Sequence, residues 1–379
     1  MDADDFGQVL AAVREFVRRE VVPRETEIDE SDEIPASVRE KAAGLGLFGW
    51  ALPEEFGGLG LRMAEDVRLA IELGYTTPAF RSLFGTNNGI AGQAIVNYGT
   101  PAQKASWLPR LAAGEAIASF ALTEAEAGSD PSGLVSKAIS DGERYVLNGT
   151  KRFITNAPLA DVFVVFARTE PDSAGGKGIS CLLVPSGSPG VTVGPHDAKM
   201  GQGGAWTSEV VFDDVAVPFN ALIGVENDGF RIAMASLSRG RLHIAAICVG
   251  MAERALAEAV SYARTTRQGG RPIGEYQLVQ ALLAESHAEL AAGRAMVLAA
   301  ADAYDSGEDR KLGPSSAKLF CTEMLGRVAD RAVQVHGGMG YMRGVAVERI
   351  YRDARLFRIY EGTSEIQKLV IARELLKES

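Results

Sequence analysis

The chain has 379 residues, of which 46% are hydrophobic and 23% are charged, and its formal net charge is −10 at pH 7. This composition is typical of a globular protein made of one large domain or two to three smaller ones. The acidic balance argues against a nucleic-acid-binding surface, because such a surface needs a basic patch.

Cysteine and histidine residues form no pattern that indicates a disulfide framework or a metal site. The three cysteines, Cys181, Cys248 and Cys321, are far apart and lie in apolar stretches, so we expect buried free thiols in a reducing compartment. None of the four histidines lies at metal-ligand spacing from another histidine or from a cysteine, and we expect no metal ion.

The N-terminal stretch MDADDF is acidic and polar, which is unlike a secretory or transit peptide. No apolar run approaches the ~20 residues that a membrane-spanning helix needs. We therefore expect a cytoplasmic protein that does not cross a membrane.

Residues 1–117 are predicted to form an α-helical domain. Apolar residues recur at helical spacing from Phe6 onwards, and Pro23 is expected to end this first helix. Thr100-Pro-Ala-Gln103 is typical of a capping box with proline in the first helical turn.

Residues 118–226 change to short apolar runs separated by Gly, Pro and Ser. RYVLNGTKRFIT places Asn148-Gly149 between two such runs, which predicts a hairpin turn at this dipeptide. Further strands are predicted in DVFVVFAR, GISCLLVP, VTVG and SEVVFDDVAVP. Because no helical pattern intervenes, we predict an antiparallel β-barrel or sandwich as the middle domain.

Residues 227–379 return to the helical period. Long helices are predicted around Leu242–Val260, over Gln277–Asp305 and over Ser316–His336, and Ser364-x-x-Gln367 is typical of the cap of a final helix. Long helices with short connections favour a four-helix bundle. The predicted fold class is therefore α+β and multidomain.

Two stretches of the middle region combine residues that suit a ligand. ALTEAEAGSD joins hydroxyl groups to small residues in a tight loop, where backbone amides can approach an anionic or polar group, although a turn that starts a strand explains it as well. In KRFITNAP, Phe153 and Thr155 share one strand face, which suits a flat ring or an ordinary core.

Two further stretches lie in the C-terminal region. QVHGGMGY ends a helix, and a C-cap explains Gly337 but not Gln334 or Gly338. RIYEGTSEIQK places Glu361 between an aromatic residue and a Gly-Thr-Ser run just before a helix, as a reactive base or an ordinary acidic residue near a helix N-terminus. No Rossmann fingerprint, P-loop, nucleophile elbow or zincin motif is present.

These four stretches, in this order, resemble the acyl-CoA dehydrogenase family over essentially the whole chain. ALTEAEAGSDPSG and YRDARLFRIYEGTSEIQKLVIAR are highly specific, and EKAAGLGLFGWALPEEFGGLG and KMGQGGAWTSEVVFDDVAVP also match. The resemblance implies a flavoprotein, usually a homotetramer, that binds FAD non-covalently. It also implies removal of hydrogen from Cα and Cβ of an acyl-CoA thioester, with electrons passed to an electron-transfer flavoprotein.

The resemblance also implies site positions. The FAD-binding positions are Phe120, Leu122, Thr123, Ser129, Phe153, Ile154, Thr155, Gln277, Gln334, Val335, Gly337, Gly338, Thr363 and Glu365. The substrate-binding positions are Ser129, Ser238, Arg241 and Gly362. In the family, the glutamine-glycine run often serves the FAD of a neighbouring subunit.

Glu361 matches the family's catalytic base, which takes the Cα proton. Some relatives carry this glutamate in the first bundle helix, where this chain has Gly240. A helix beginning at Ser364 would stabilise the carboxylate, whereas burial against an acyl chain would raise its pKa. We expect burial to dominate and to bring the pKa towards neutrality, where a general base is most effective.

The resemblance breaks in RTTRQGGRP. Thr266 and Gly269 stand where relatives carry an arginine that reaches the FAD pyrophosphate and a phenylalanine. Loss of the guanidinium removes a charged phosphate contact, which Arg264, Arg267 or Arg271 would have to replace.

Other departures are Ser238 and Gly344, where relatives often carry acidic or amide residues. Two alternatives to a homotetrameric dehydrogenase remain open. One is an acyl-CoA oxidase or flavin monooxygenase, although relatives of the second kind commonly lack the glutamate. The other is a subunit of a mixed-chain oligomer with shared FAD sites.

Overall fold

The computed structural model of the protein describes residues 1–377. It contains a helical N-terminal region, a mixed β-sheet and a helical C-terminal region, which confirms the predicted fold class. The last two residues of the predicted C-terminal domain, 378–379, lie outside the described residues. No helix within residues 1–377 is both long and apolar enough to span a bilayer.

Seven α-helices form the N-terminal region. They are α1 (Ala3–Phe16), α2 (Glu25–Ser31), α3 (Ala36–Gly44), α4 (Met63–Gly74), α5 (Pro78–Asn88), α6 (Ile90–Tyr98) and α7 (Pro101–Ala112). The predicted capping box is present, since the Thr100 hydroxyl accepts from the Gln103 N–H and the Gln103 side chain accepts from the Thr100 N–H. The Gln103 amide also donates to the Asn220 and Leu222 carbonyls, which attaches α7 to the sheet.

The first helix ends differently from the prediction. The regular α-helix stops at Phe16, and the chain continues through a π turn (Val17–Val21) and a 3₁₀ turn (Val22–Arg24) that contains Pro23. Proline lacks an N–H and its ring clashes with the carbonyl four residues earlier. The wider π turn accommodates this interruption while the chain keeps its helical direction.

Eight strands form the middle sheet. They are β1 (Ala118–Ala121), β2 (Lys137–Ser140), β3 (Arg144–Thr155), β4 (Val162–Arg168), β5 (Ile179–Pro185), β6 (Val191–Val193), β7 (Thr207–Pro218) and β8 (Leu222–Ile223). Their order is β6-β7-β3-β2-β4-β5-β8, with β1 beside β4. Most pairs are antiparallel, as predicted, but β4 pairs in parallel with β1 and β2, so the sheet is mixed and not wholly antiparallel. A long connection between β1 and β4 permits this parallel pairing.

The hairpin predicted at Asn148-Gly149 is wrong, because this dipeptide lies inside β3. The register against β7 shifts between Leu147 and Gly149, and Gly149 has φ 150°. The Asn148 side chain both donates to the Asp214 carboxylate and accepts from the Asp214 N–H. Two β7 residues, Asp213 and Asp214, therefore lie opposite Asn148, and the dipeptide pairs with a β-bulge in β7. The β2–β3 turn lies around Gly142, which has φ 100°.

Five α-helices form the C-terminal region up to residue 377. They are α8 (Gly229–Thr265), α9 (Gln277–Ser306), α10 (Leu312–His336), α11 (Ala346–Phe357) and α12 (Ser364–Leu375). The four predicted bundle helices are present, and α11 is an additional helix. The cap of α12 is Thr363, whose hydroxyl accepts from the Ile366 N–H, rather than the predicted Ser364. A short hairpin, β9 (Arg267–Gln268) and β10 (Arg271–Pro272), joins α8 to α9.

One apolar core joins the N-terminal helices to the bundle, and two smaller cores contain the buried residues of the sheet. Helices α4 and α8 pass each other at glycines. A Cβ on Gly74 would lie 2.3 Å from the Ile247 carbonyl oxygen, and one on Gly250 would lie 2.0 Å from that of Ile71. This close backbone approach fixes α4 against the helix that borders the candidate site.

Candidate active site

Glu361 lies in the short segment between α11 and α12. It adopts a left-handed backbone conformation with φ 53°, which is strained for a non-glycine residue by roughly 1–2 kcal/mol. Gly362 follows with φ 89°, and a Cβ there would lie 2.6 Å from Gln367 Nε2. Such strain persists where the surrounding structure holds it, as at many functional sites.

Two side chains hold this segment through one backbone carbonyl. The Lys318 ammonium donates to the Gly362 carbonyl at 2.6 Å, and the Gln367 amide donates to the same oxygen at 2.9 Å. Burial of Lys318 lowers its pKa to about 8. The buried lysine therefore supports the backbone beside Glu361 and does not pair with its carboxylate.

The Glu361 carboxylate lies against Gly240 on α8. A Cβ on Gly240 would be 2.2 Å from Glu361 Oε2, so only glycine leaves room for the carboxylate in this position. The family resemblance implies a catalytic glutamate at position 361 or, in some relatives, at position 240. In this fold the two positions are in contact. Glu361 Oε2 is buried and has no hydrogen-bond partner within residues 1–377.

The charges of three cations act on the Glu361 carboxyl without a direct ion pair. Burial raises the pKa of the Glu361 carboxyl, and the charges of Arg81, Lys318 and Arg241 oppose that rise. Within the described chain none of them lies within 4.0 Å of the Glu361 carboxylate oxygens. Arg241 is buried and donates to the Ser315 hydroxyl at 3.3 Å. A carboxylate without hydrogen bonds, in a site that disfavours its charge, is suited to accept a proton.

A second buried carboxylate, Glu124, organises the loop after β1. It accepts hydrogen bonds from the Val135 N–H at 2.7 Å, from the Ser136 N–H at 3.1 Å and from the Lys151 ammonium at 2.7 Å. Lys151 is fully buried and also donates to the Leu122 and Phe166 carbonyls. This ion pair ties the loop to β3. Sequence reasoning missed it, since nothing local distinguishes these two residues from solvated ones.

Near this loop lie the predicted FAD positions of the sheet. Phe153 is 62% exposed on β3, and the Arg152 guanidinium lies 5.1 Å from its ring centroid. The hydroxyl-bearing Thr123 and Thr155 are half-buried, and Ser129 is exposed. The other positions, Phe120, Leu122 and Ile154, are buried. An accessible aromatic ring with accessible hydroxyls fits a flat, polar ring system such as the isoalloxazine of FAD.

A second group of predicted FAD positions lies at the end of the bundle. Gln334, Gly337 and Gly338 are exposed at the end of α10, Val335 is buried, and Gln277 is exposed at the start of α9. Within residues 1–377 no hydrogen bond links these residues to those of the sheet.

The remaining predicted positions have local structural roles. Thr363 caps α12, and Glu365 is exposed in its first turn. Ser238 donates to the Arg310 carbonyl at 2.9 Å. Gly344 has φ 86°, which explains a glycine at this position.

The hairpin between α8 and α9 explains one departure from the family pattern. Gly269 and Gly270 have φ 57° and 85°, as a tight hairpin turn requires. A Cβ on Gly269 would lie 2.6 Å from the Tyr276 hydroxyl, so a phenylalanine cannot replace it without a change of the turn. Arg271 stacks over Tyr276 with its guanidinium 4.1 Å from the ring centroid.

The described part of the chain contains no candidate metal site and no disulfide. Residues 1–377 contain no cluster of three His, Cys, Asp or Glu side chains that could hold a metal ion. Cys181, Cys248 and Cys321 are buried free thiols, as the sequence predicts.

Comparison with known proteins gives matches along the whole chain. Family models described as the N-terminal, middle and C-terminal domains of acyl-CoA dehydrogenase match residues 4–115, 119–215 and 227–376. A Bacillus subtilis protein named acyl-CoA dehydrogenase is 40% identical over 364 residues, which cover 96% of each chain. The caffeyl-CoA reductase-Etf complex subunit CarC of Acetobacterium woodii is 37% identical over 365 residues, with 96% of each chain covered. The solved structure of butyryl-CoA dehydrogenase from Megasphaera elsdenii has a TM-score of 0.95 at 34% identity and 100% coverage of both chains.

Proposed function

Because this chain belongs to the acyl-CoA dehydrogenase family of FAD-dependent oxidoreductases, we propose that Glu361 is the base of an α,β-dehydrogenation of an acyl-CoA thioester. The observation that carries the proposal is the buried Glu361 Oε2 without a hydrogen-bond partner, held against Gly240. Desolvation that makes the carboxylate more basic favours removal of a weakly acidic C–H proton.

In the proposed reaction the Cα–H and Cβ–H bonds break and a Cα=Cβ double bond forms, which gives the trans-2-enoyl-CoA. Glu361 takes the Cα proton on its carboxylate. The bound flavin supplies the two-electron acceptor for the hydride that leaves Cβ. The backbone N–H of Glu361 has no acceptor within residues 1–377 and is available to the thioester carbonyl, which would make the Cα proton more acidic.

The proposed site residues divide between the two groups described above. Thr123, Ser129, Phe153 and Thr155 would contact the flavin, and Arg241 and Gly362 would contact the substrate. The exposed bundle-end group, including Gln334, would serve the FAD of a second copy in a homotetramer. This arrangement is consistent with the exposure of Gln334 and Gly338, for which the C-cap at Gly337 gives no explanation.

The electron acceptor in this proposal is an electron-transfer flavoprotein, supported by the relative CarC, which is named as a subunit of a reductase-Etf complex. Buried free thiols support a reducing, cytoplasmic location. The domain boundaries, 1–117, 118–226 and 227–379, remain part of the proposal.

A second candidate function is the reverse reaction at the same site, reduction of an enoyl-CoA. The relative CarC supports it, because it is named as a subunit of a reductase complex. In that direction protonated Glu361 would deliver a proton to Cα. Burial raises the pKa of Glu361, which suits a proton donor in the reductive direction as well as a proton acceptor in the oxidative direction.

Anaerobic titration of the FAD-loaded protein with acyl-CoAs of increasing chain length, beginning with butyryl-CoA, tests the proposal. Loss of flavin absorbance together with formation of the 2-enoyl-CoA is the expected result. Rapid peroxide formation in air would instead identify an oxidase, and faster turnover of crotonyl-CoA with reduced electron-transfer flavoprotein would identify a reductase. Protein that cannot be loaded with FAD would contradict the homotetramer and favour a mixed-chain oligomer.

A further inference from the structure

A buried chain of polar side chains leads from α4 to the neighbourhood of Glu361. The Asp66 carboxylate lies 2.6 Å from His243 Nδ1, and Arg81 Nε donates to His243 Nε2 at 2.9 Å. Arg239 also donates to Asp66, at 2.9 Å. Asp66 and His243 are almost completely buried, and the Trp50 ring stacks on the imidazole with 5.2 Å between centroids.

The hydrogen-bond directions in this chain are determined by chemistry. An arginine nitrogen only donates, so His243 Nε2 must accept through its lone pair. The imidazole proton is then on Nδ1 and is donated to Asp66, which makes His243 neutral. Burial and the charge of Arg81 lower the pKa of His243, which agrees with this neutral form. Asp66 thus selects the tautomer that gives Arg81 an acceptor.

Arg81 is left with most of its donors free. Apart from the bond to His243, it makes no hydrogen bond in the described chain and no ion pair within 4.0 Å. Gly85, one turn later on α5, leaves space for the guanidinium, because a Cβ there would lie 2.8 Å from Arg81 Cζ. Gly240 and His243 are three residues apart on α8 and so share one face of that helix. The Glu361 carboxylate lies against Gly240, and Arg81 is bonded to His243. Of the charges that act on Glu361, that of Arg81 opposes the rise in its pKa most strongly.

We propose that Asp66 and His243 are positioning residues that hold the Arg81 guanidinium beside Glu361, so that the base can ionise in a buried site. This proposal rests on the proposed role of Glu361. Without the hydrogen bonds from Asp66 to His243 and from His243 to Arg81, the Arg81 guanidinium would be free to move away from Glu361. Glu361 would then keep its proton to higher pH. The other charged and titratable groups near Glu361 are Arg241 on α8, Lys318 on α10 and Tyr360 beside it, and none of them bonds to His243.

The test compares two substitutions at one position. Both His243→Leu and His243→Gln remove the stacked ring, but the glutamine amide keeps an oxygen acceptor for Arg81 and an N–H donor for Asp66, whereas leucine keeps neither. The rate of flavin reduction by butyryl-CoA is measured in single turnover from about pH 5 to about pH 9. We expect the acidic limb of the His243→Leu profile to move to higher pH by roughly one unit, and that of His243→Gln to stay near wild type.

Two further variants make the outcome decisive. Arg81→Met removes the charge itself and should move the acidic limb at least as far as His243→Leu. If His243→Leu does not fold, Asp66→Asn, which weakens the selection of the tautomer, should move the limb in the same direction. Acidic limbs that coincide in all variants, with only thermal stability reduced, would overturn the positioning role. Failure of the proposed function itself is recognised separately, by wild-type flavin reduction in Glu361→Gln.

Discussion

The molecule places a glutamate and a lysine together in two buried regions and arranges them in opposite ways. In the sheet, the Lys151 ammonium bonds directly to the Glu124 carboxylate at 2.7 Å. Next to the bundle, the Lys318 ammonium bonds instead to the Gly362 carbonyl, and the Glu361 carboxylate keeps an oxygen without a partner. Burial raises the pKa of both carboxyls, but Lys151 and the neighbouring donors lower that of Glu124 overall, while that of Glu361 stays raised.

This difference separates a structural carboxylate from a reactive one. A buried polar atom without a hydrogen bond costs about 1–3 kcal/mol. Glu124 avoids that cost and fixes a loop, whereas Glu361 bears it and adds backbone strain at φ 53°. The lysine beside Glu361 supports the backbone without neutralising the carboxylate, which leaves its charge for chemistry.

The largest effect on stability is expected from removal of the buried ion pair between Lys151 and Glu124. Lys151→Met leaves the Glu124 carboxylate buried without its counter-charge, which should lower the free energy of unfolding by about 3–5 kcal/mol. Denaturant unfolding measures this change. The control is Lys137→Met, at an exposed lysine on β2, which should alter stability by less than about 0.5 kcal/mol. Equal effects of the two substitutions would contradict a structural role for the buried pair.

A change next to the unpaired Glu361 carboxylate should lower the reaction rate more than it lowers the stability of the fold. Gly240→Ala would place a Cβ 2.2 Å from Glu361 Oε2 and so displace the carboxylate. A displacement of about 1 Å can reduce a rate about 100-fold, and we expect a loss of this size in flavin reduction by butyryl-CoA. Gly7→Ala is the matched control, since a Cβ added to this helical glycine would have no neighbour within 4 Å. A Gly240→Ala enzyme with an unchanged rate would show that the carboxylate is not used where it lies.

The smallest effect is a difference in the pH dependence of stability. The pKa of Glu361 is raised in the folded state, so its ionisation destabilises the fold as pH rises through and above the ordinary glutamate pKa. Glu361→Gln should therefore gain stability relative to wild type as pH rises, by up to ~1.4 kcal/mol for each unit of pKa difference. The pKa of Glu124 is lowered, so its contribution is present above the ordinary pKa and is lost as pH falls. Unfolding measured from about pH 4 to about pH 8 should give slopes of opposite sign for Glu361→Gln and Glu124→Gln, and slopes of the same sign would contradict the comparison.

Much of the fold follows from local sequence patterns. Helical periodicity predicted the helical regions, and the capping box at Thr100 was correct because both of its bonds are local. The hairpin at Asn148-Gly149 was wrong because the dipeptide pairs with a bulge of β7 at Asp214, which is 66 residues away and leaves no local signal. Pro23 did not end the helix at its own position, since a π turn absorbs the interruption earlier.

The site was only partly predictable. Glu361 and Gly240 were identified through the family resemblance, but their contact is a property of the folded chain. Arg81 and His243 are 162 residues apart, and His243 and Asp66 are 177 apart, so no local pattern indicates their hydrogen bonds. A buried charged residue has the same letter in the sequence as an exposed one, and only tertiary packing distinguishes them.

The most direct test of the role of Glu361 is anaerobic rapid mixing of FAD-loaded Glu361→Gln with butyryl-CoA, compared with the wild-type protein. The substitution keeps the size and shape of the side chain but removes its ability to take a proton. We predict a loss of about 10²–10⁴-fold in the rate of flavin reduction, with butyryl-CoA still bound. Flavin reduction by Glu361→Gln at a rate within a few-fold of wild type would contradict the assignment of Glu361 as the base.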